Sequence, residues 1–313
     1  MRTGAVISAA GHKGSGPSFN PMLPIGDTTL IRRIIITLQQ AGVDPVVVIT
    51  GTQGGELEKH ISKMQVICLR NHNYEHTQMF DSICMGLSYV EGLCDRAVVL
   101  PAKFPLLFPE TVRRIMKSEA PAACPVYNGR RGHPVLIRKD LIPMILEDSS
   151  GRGLKGALRQ PGINELVEEI PVEDEGILWP VEEESDWAAS SKGRERIPIH
   201  PRVQLSLACE ELFFDPVTAR FLMVTDHTGS MQTACRQMNM SYTKGWKLLK
   251  TAEKQLGYPL LITQSGGADG GSSRLSPRAR RFLDRYQGLE KELNETAGKL
   301  FHKYFSQGEE KPQ

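Results

Sequence analysis

The chain has 313 residues, and its 38 Lys and Arg against 36 Asp and Glu leave a net charge of +2. That length suggests about two domains of roughly 150 residues each, and 40% apolar with 24% charged residues supports packed cores rather than a disordered chain. A charge so near zero identifies no partner, and no apolar run approaches the roughly 18 residues of a bilayer-spanning helix.

The N-terminal "MRTGAVISAAGHKG" reads as a strand and a turn rather than a leader. Cys68, Cys84, Cys94, Cys124, Cys209 and Cys235 are scattered without C-x-x-C spacing. Reduced, mostly buried thiols are therefore expected rather than disulfides or zinc, and a cytoplasmic location with them.

Strands and helices alternate through the first half. "GAVISAA" reads as a strand. "TTLIRRIIITLQQAG" reads as an amphipathic helix with Asp27 or Thr28 as N-cap and Gly42 as its stop. A buried strand at "PVVVIT", a helix at "GELEKHISKM" and a strand at "QVICLRN" come next. A helix at "QMFDSICMGLSYV", a strand at "RAVVL", a helix at "PETVRRIMKS" and a strand at "AACPVY" complete the series. This alternation predicts βαβ units and a mainly parallel sheet. In such sheets ligands bind at the carboxyl ends of the strands. The stretch "VVLPAKFPLL" leaves the sheet at that edge carrying Lys103. A nucleotide site using Mg²⁺ needs a carboxylate there, because that hard cation takes oxygen ligands.

The chain turns acidic from Glu165 to Asp186, with no Lys or Arg among those residues. The small, polar, basic "AASSKGRERIPIHPR" then reads as a linker. The expected division is a first domain at 1–187, a linker at 188–204 and a second domain at 205–313.

The second domain reads as mostly helical, broken once by "SGGADGGSSR". A first helix runs from about Asp215 to His227 and ends at Gly229. Ser230 caps a second, with Met231, Ala234 and Met238 as apolar positions. Ser241 caps a third, which places Trp246, Leu249, Ala252 and Leu256 on one face. A short helix, a tight turn and a longer basic helix predict a helix-turn-helix. "LLITQ" and "RLS" around the Gly-rich loop predict a wing. Residues 228–285 hold ten Lys and Arg against three Asp and Glu, a local net charge of +7. This points to double-stranded DNA, ahead of an ordinary three-helix bundle with a solvated basic face or a surface that binds an acidic protein. Ser230, Gln232, Ser241, Tyr242 and Thr243 are candidates for bases or backbone. Lys244, Lys247, Lys250, Arg274 and Arg280 are candidates for phosphates. On the last helix Phe282, Tyr286, Leu289, Leu293, Leu300 and Tyr304 form a stripe expected to pair two copies, with packing on its own domain as the other reading.

"TGSMQTACRQMNMSYTKGWKLLKTAEKQLGYPLL" with "GGADGGSSRLSPRARRFL" resembles the winged helix of ModE-type molybdate-responsive regulators, related to LysR-type domains. The resemblance implies a DNA-binding homodimer joined through flanking helices. It does not extend to those regulators' molybdate-binding domains.

"ISAAGHKGSGPSFNPMLPIGDTTLIRRII" resembles the start of the MobA/MocA-like molybdenum-cofactor nucleotidyltransferases. "TQMFDSICMGL", "VVLPAKFPLLFPETV", "RRGHPVLI", "GLKGALRQ" and "GILWPVEEESDW" resemble later motifs of that family. The resemblance implies a Rossmann-like fold that binds CTP or GTP and transfers a nucleotide to a phosphorylated pterin with Mg²⁺. It assigns nucleotide contacts to Ala10, Gly11, His12, Lys13, Gly14, Ser82, Lys103 and His133. Where that family has Arg, Gly and Lys, this chain has Ser15, Pro17 and Asn20. Lys103 stands at the first metal-binding Asp, Pro180 replaces a late Asp, and Glu182 is the remaining metal candidate. Loss of these groups together predicts a fold kept without catalysis. The expected protein is a regulator that senses a nucleotide or a molybdopterin-type cofactor. The alternative is an active cytidylyl- or guanylyltransferase fused to an autoregulatory DNA-binding domain.

Overall fold

The computed structural model describes residues 1–11, 19–190, 199–264 and 272–305. The chain divides into two compact units, Met1–Glu195 and Arg196–Gln313.

The first unit opens with β1 (Thr3–Ala9), the short pair β2 (Pro24–Ile25) and β3 (Thr28–Thr29), and α1 (Leu30–Gln40). Then come β4 (Val46–Thr50), α2 (Gly54–Ile61), β5 (Ile67–Arg70), α3 (Met79–Glu91), β6 (Arg96–Pro101) and α4 (Pro109–Ile115). It closes with β7 (Ala122–Tyr127), β8 (Arg130–Arg131), β9 (Val135–Arg138), α5 (Ile142–Leu146), α6 (Gly153–Ala157), β10 (Val167–Pro171) and α7 (Glu184–Ala189). The sheet order is β10-β7-β9-β6-β1-β4-β5, with β8 on β7. β1 pairs in parallel with β4 and β6, and every one of its residues is buried. Burial on both faces explains why this strand reads as a continuous apolar run without alternation.

The expected α/β architecture with a mainly parallel sheet is found, with local differences. Thr28 and Thr29 pair with Ile25 and Pro24, so α1 begins at Leu30 with Thr29 at the N-cap, and no side chain caps it. The chain passes Ala41 before Gly42 turns at φ +86°. β9 is a strand the alternation did not predict, and it runs antiparallel between β6 and β7. Its approach is set by "YNGR", where Tyr127 pairs with Arg130 across Asn128 (φ +48°) and Gly129 (φ +73°). Asn-Gly with both residues left-handed is the favoured two-residue hairpin turn.

The second unit begins with a hairpin of β11 (Leu207–Ala208) and β12 (Leu212–Phe214), which the helical pattern did not predict. The helices α8 (Pro216–Thr228), α9 (Met231–Gln237) and α10 (Tyr242–Leu256) follow. Asp215, Ser230 and Ser241 each accept a backbone N–H from the third residue of the helix they cap. Gly229 and Gly257 end α8 and α10 in the left-handed conformation. The antiparallel β13 (Leu261–Gln264) and β14 (Ser272–Leu275) form the wing, and α11 (Pro277–Phe305) completes the unit. This is the expected winged helix-turn-helix.

Two expectations are corrected here. Trp246 is not on the core face of α10: Gly245, Leu249 and Ala252 are buried, while Trp246 is 46% exposed. The stripe on α11 also divides. The Phe282 and Tyr286 rings each lie 4.9 Å from that of Phe214, and the Tyr286 hydroxyl donates to the Leu205 carbonyl at 2.8 Å. Those two residues pack on their own unit, whereas Leu289, Leu293, Leu300 and Tyr304 remain exposed.

The Ser-x-x-x-Gly-Leu pattern of α3 has a packing explanation. A Cβ on Gly86 would lie 2.3 Å from a methyl of Val6, a fully buried β1 residue stiff at χ1. Gly86 therefore sets how closely α3 approaches the sheet. Gly86→Ala is expected to cost about 1–3 kcal/mol of stability by overpacking, as measured by urea unfolding.

Candidate functional site

Register decides what meets at the edge of the first unit. Ser8 pairs with Pro101, and the Ala102 N–H donates to the Ser8 carbonyl at 3.0 Å. The exits of β1 and β6, Ala10–Gly11 and Ala102–Lys103, thus leave the sheet side by side. On the β4 side, the Ala10 carbonyl accepts the Thr52 N–H at 2.9 Å, and Gly11 turns at φ +79°. A cleft of about 250 Å³ lies here, lined by residues that include Gly11, Phe19, Asn20, Thr52 and Gln53. Asn20 brings no cation in place of the family's Lys. Its side-chain oxygen accepts the Met22 N–H at 2.9 Å, folding the residue into its own turn. His12, Lys13 and Gly14 lie outside the described residues.

On the β6 side, Lys103 Nζ lies 2.7 Å from Glu182 Oε1. The segment that brings Glu182 there is firmly held. Asp174, 2% exposed, accepts the Phe108 N–H at 2.9 Å, the Thr111 hydroxyl at 2.7 Å and the Gly176 N–H at 3.0 Å. The Val181 N–H then donates to the Lys103 carbonyl at 2.7 Å. Beyond Glu182, the Asp186 carboxylate accepts the N–H groups of Glu182 and Glu183, which lowers its pKa.

His133 stands beside this pair. Its backbone N–H donates to the Ile177 carbonyl at 3.0 Å, and its ring lies 4.5 Å from that of Phe104. Its Nδ1 is buried without a hydrogen-bond partner among the described residues. Burial, with the nearby Lys103 ammonium as the lesser cause, pushes its pKa down to about 4. The imidazole is therefore neutral at pH 7 and cannot supply a second cation.

Ser82 goes elsewhere. It is buried in α3 and accepts from Asn71 Nδ2 at 3.1 Å, tying the end of β5 to that helix. The structure thus forms one group from Ala10 and Gly11 and a second from Lys103, His133 and Glu182. These residues do not fit Mg²⁺. The position expected to hold the first metal carboxylate carries an ammonium, and it is bonded to the one carboxylate left. No set of three metal-ligating side chains occurs among the described residues. Sequence reading named Lys103 and Glu182 separately and missed their pairing. It also missed the holding role of Asp174, which in sequence is one acid among ten.

In the second unit, Gln232, Ser241, Tyr242, Thr243, Lys244, Lys247 and Lys250 are exposed, and Ser230 is half-buried. Lys250 lies 2.7 Å from Glu253 Oε2 and stacks over the Trp246 ring at 4.7 Å. The two candidate arginines converge on Asp226 at the end of α8. Arg280 pairs with its carboxylate at 2.7 Å, Arg274 donates to its carbonyl, and the Leu275 N–H donates to its Oδ1 at 2.8 Å. Arg274 therefore anchors the wing to α8, and Arg280 anchors α11 to it, as well as carrying charge. Among the described residues no helix is long and apolar enough to cross a membrane.

The architecture is that of a nucleotidyltransferase-type α/β unit joined to a winged helix-turn-helix. The family model of the MobA-like NTP transferase domain matches residues 6–168, and the chain belongs to that family. A nucleotidyl transferase from Methanothermobacter thermautotroptrophicus shares the fold, with a TM-score of 0.52 and 22% identity over 60% of this chain and 94% of that one. The C-terminal region is similar to Transcriptional regulator ModE of Haemophilus influenzae, 34% identical over 82 residues, 26% of this chain and 32% of the relative. It is also similar to Molybdenum transport protein ModE of Azotobacter vinelandii, 28% identical over 81 residues, 26% of this chain and 30% of the relative. The chain spans about a third of the length of these curated relatives.

The depressed His133 pKa gives a pH prediction. A folded-state value below the unfolded one adds stability that is fully present above pH ~6.5 and is lost as pH falls toward about 4. Unfolding free energies from urea titrations between pH 7 and 4 should fall more steeply for the native chain than for His133→Phe, by up to about 1.4 kcal/mol per pH unit.

Proposed function

We propose that this chain is a DNA-binding transcription regulator whose first unit is a receptor rather than a transferase. The observation that carries this reading is the Lys103–Glu182 ion pair at the edge where a metal would be held. Attack on an α-phosphorus with pyrophosphate leaving requires a carboxylate-held metal ion to neutralise developing charge. An ammonium can attract a phosphate but cannot recruit that metal. The receptor's ligand in this reading is CTP, GTP or a molybdopterin-type cofactor. Ala10, Gly11, Lys103 and His133 form its described part, and the sequence adds His12, Lys13 and Gly14 as candidates outside the described residues.

The output is double-stranded DNA. The exposed Lys244 and Lys247 on a capped α10 and the likeness to ModE regulators support it. Ser230, Gln232, Ser241, Tyr242 and Thr243 would face bases or backbone, with Arg274 and Arg280 beside the wing. The name of one relative, Molybdenum transport protein ModE, supports a molybdenum-related role. The exposed Leu289, Leu293 and Leu300, at heptad spacing on α11, support a homodimer seam.

The test pairs pyrophosphate release from CTP and GTP, in Mg²⁺ with reduced molybdopterin, with calorimetric nucleotide binding in EDTA. Binding without release is expected, and Lys103→Ala should weaken it about tenfold. Turnover would return the protein to the transferases. On DNA, Lys247→Ala should weaken binding alike for every sequence and lower the salt slope by about one, as read by anisotropy titrations from 50 to 200 mM salt. A preserved slope would remove Lys247 from the phosphate contacts.

A further inference from the structure

The outward turn of Trp246 has a local cause. Gly245 faces the core at such close range that a Cβ there would lie 2.5 Å from the Cys235 sulfur and 3.0 Å from the Phe221 ring. With Gly245 and Leu249 against α8 and α9, the next residue is rotated by about 100°. The indole thus leaves the core at the flank of α10. It stays 46% exposed, one turn from Tyr242 at 52%. Lys250 stacks over the ring at 4.7 Å, and Lys247 adjoins it in sequence, so the aromatic pair borders a basic face. Trp and Tyr, apolar in body with a polar tip, are enriched at binding surfaces, and the basic charge beside this pair fits a polyanion.

We infer that Trp246 reads thymine in the major groove of double-stranded DNA, packing its indole against the C5-methyl group. This inference rests on the DNA-binding reading and adds the base. The lysines account for phosphates, which carry no sequence information. An indole face offers apolar contact. The thymine methyl is the apolar group that base edges present in the major groove, and it distinguishes thymine from the other three bases. Tyr242 at the first position of α10 extends the same aromatic flank toward the helix N-terminus, where recognition helices meet base edges.

The experiment uses the full chain and 30-base-pair duplexes that it enriches itself from a random-sequence library. In the best duplex each thymine is replaced in turn by deoxyuridine, which removes the methyl alone. Anisotropy then gives affinities for the native chain, Trp246→Ala and Trp246→Phe, each with its thermal midpoint as a folding control. At one or two positions deoxyuridine should weaken the native chain and Trp246→Phe about fourfold, the size expected for one buried methyl. At those positions Trp246→Ala should be indifferent to the change, while binding less tightly overall. Equal sensitivity of Trp246→Ala at the same positions, or indifference of the native chain at every thymine, overturns the assignment. If duplexes are enriched and only this pattern fails, the regulator reading survives. If none is enriched, both fall.

Discussion

The site of the first unit follows from one constraint, the burial of all of β1 between β4 and β6. A strand with parallel neighbours on both sides and both faces covered has no freedom of register, since a one-residue slip would exchange its faces. With Ser8 fixed opposite Pro101, the chain must leave β1 and β6 side by side. Gly11 and Lys103 are therefore edge residues whatever their chemistry, and the fold does not depend on which side chains stand there.

The charged pair at that edge is self-contained. Two carboxylates facing each other need a cation between them, because like charges at that range repel. Here one partner is an ammonium, so charge balances within the chain. Both side chains are partly exposed, and such pairs contribute about 0–1 kcal/mol at most. The ion pair therefore does not position its own segment. That falls to the buried Asp174, with its three hydrogen bonds, and to the backbone bond from Val181 to Lys103.

Much of this was legible in sequence, for identifiable reasons. Unbroken apolar runs mark buried parallel strands, and Asp215, Ser230 and Ser241 mark helix starts through a local hydrogen bond. β9 was missed although its signal was present: Asn128-Gly129 between two pairing residues defines a hairpin that reverses the chain. Trp246 was misplaced because a period of 3.6 admits two neighbouring faces, and an indole outweighs a glycine in any hydrophobic count. Only the contact of Gly245 with Cys235 and Phe221 decides between them. The roles of Asp174 and Asp226 were not legible, since each holds partners more than 45 residues away.

In the receptor reading proposed above, it is the weakness of the Lys103–Glu182 pair that suits it to exchange. A metal held by two carboxylates is bound to the protein as strongly as to a ligand, and its departure leaves an uncompensated site. An exposed ammonium paired with an exposed carboxylate can exchange that partner for a phosphate at little cost. Val181 stays tied to the Lys103 carbonyl throughout, because that bond uses the backbone and not the side chain. Val181 packs with Ile25, Leu30 and Leu106 in a small second core, joined by Phe19, Leu23 and Trp187, with Arg33 over the indole ring at 5.3 Å. Glu182 thus sits between a replaceable contact on one side and a packed core, followed by α7, on the other. In that reading, exchange at Lys103 would alter the charge at the start of that helix without unseating its core, as a reversible signal requires.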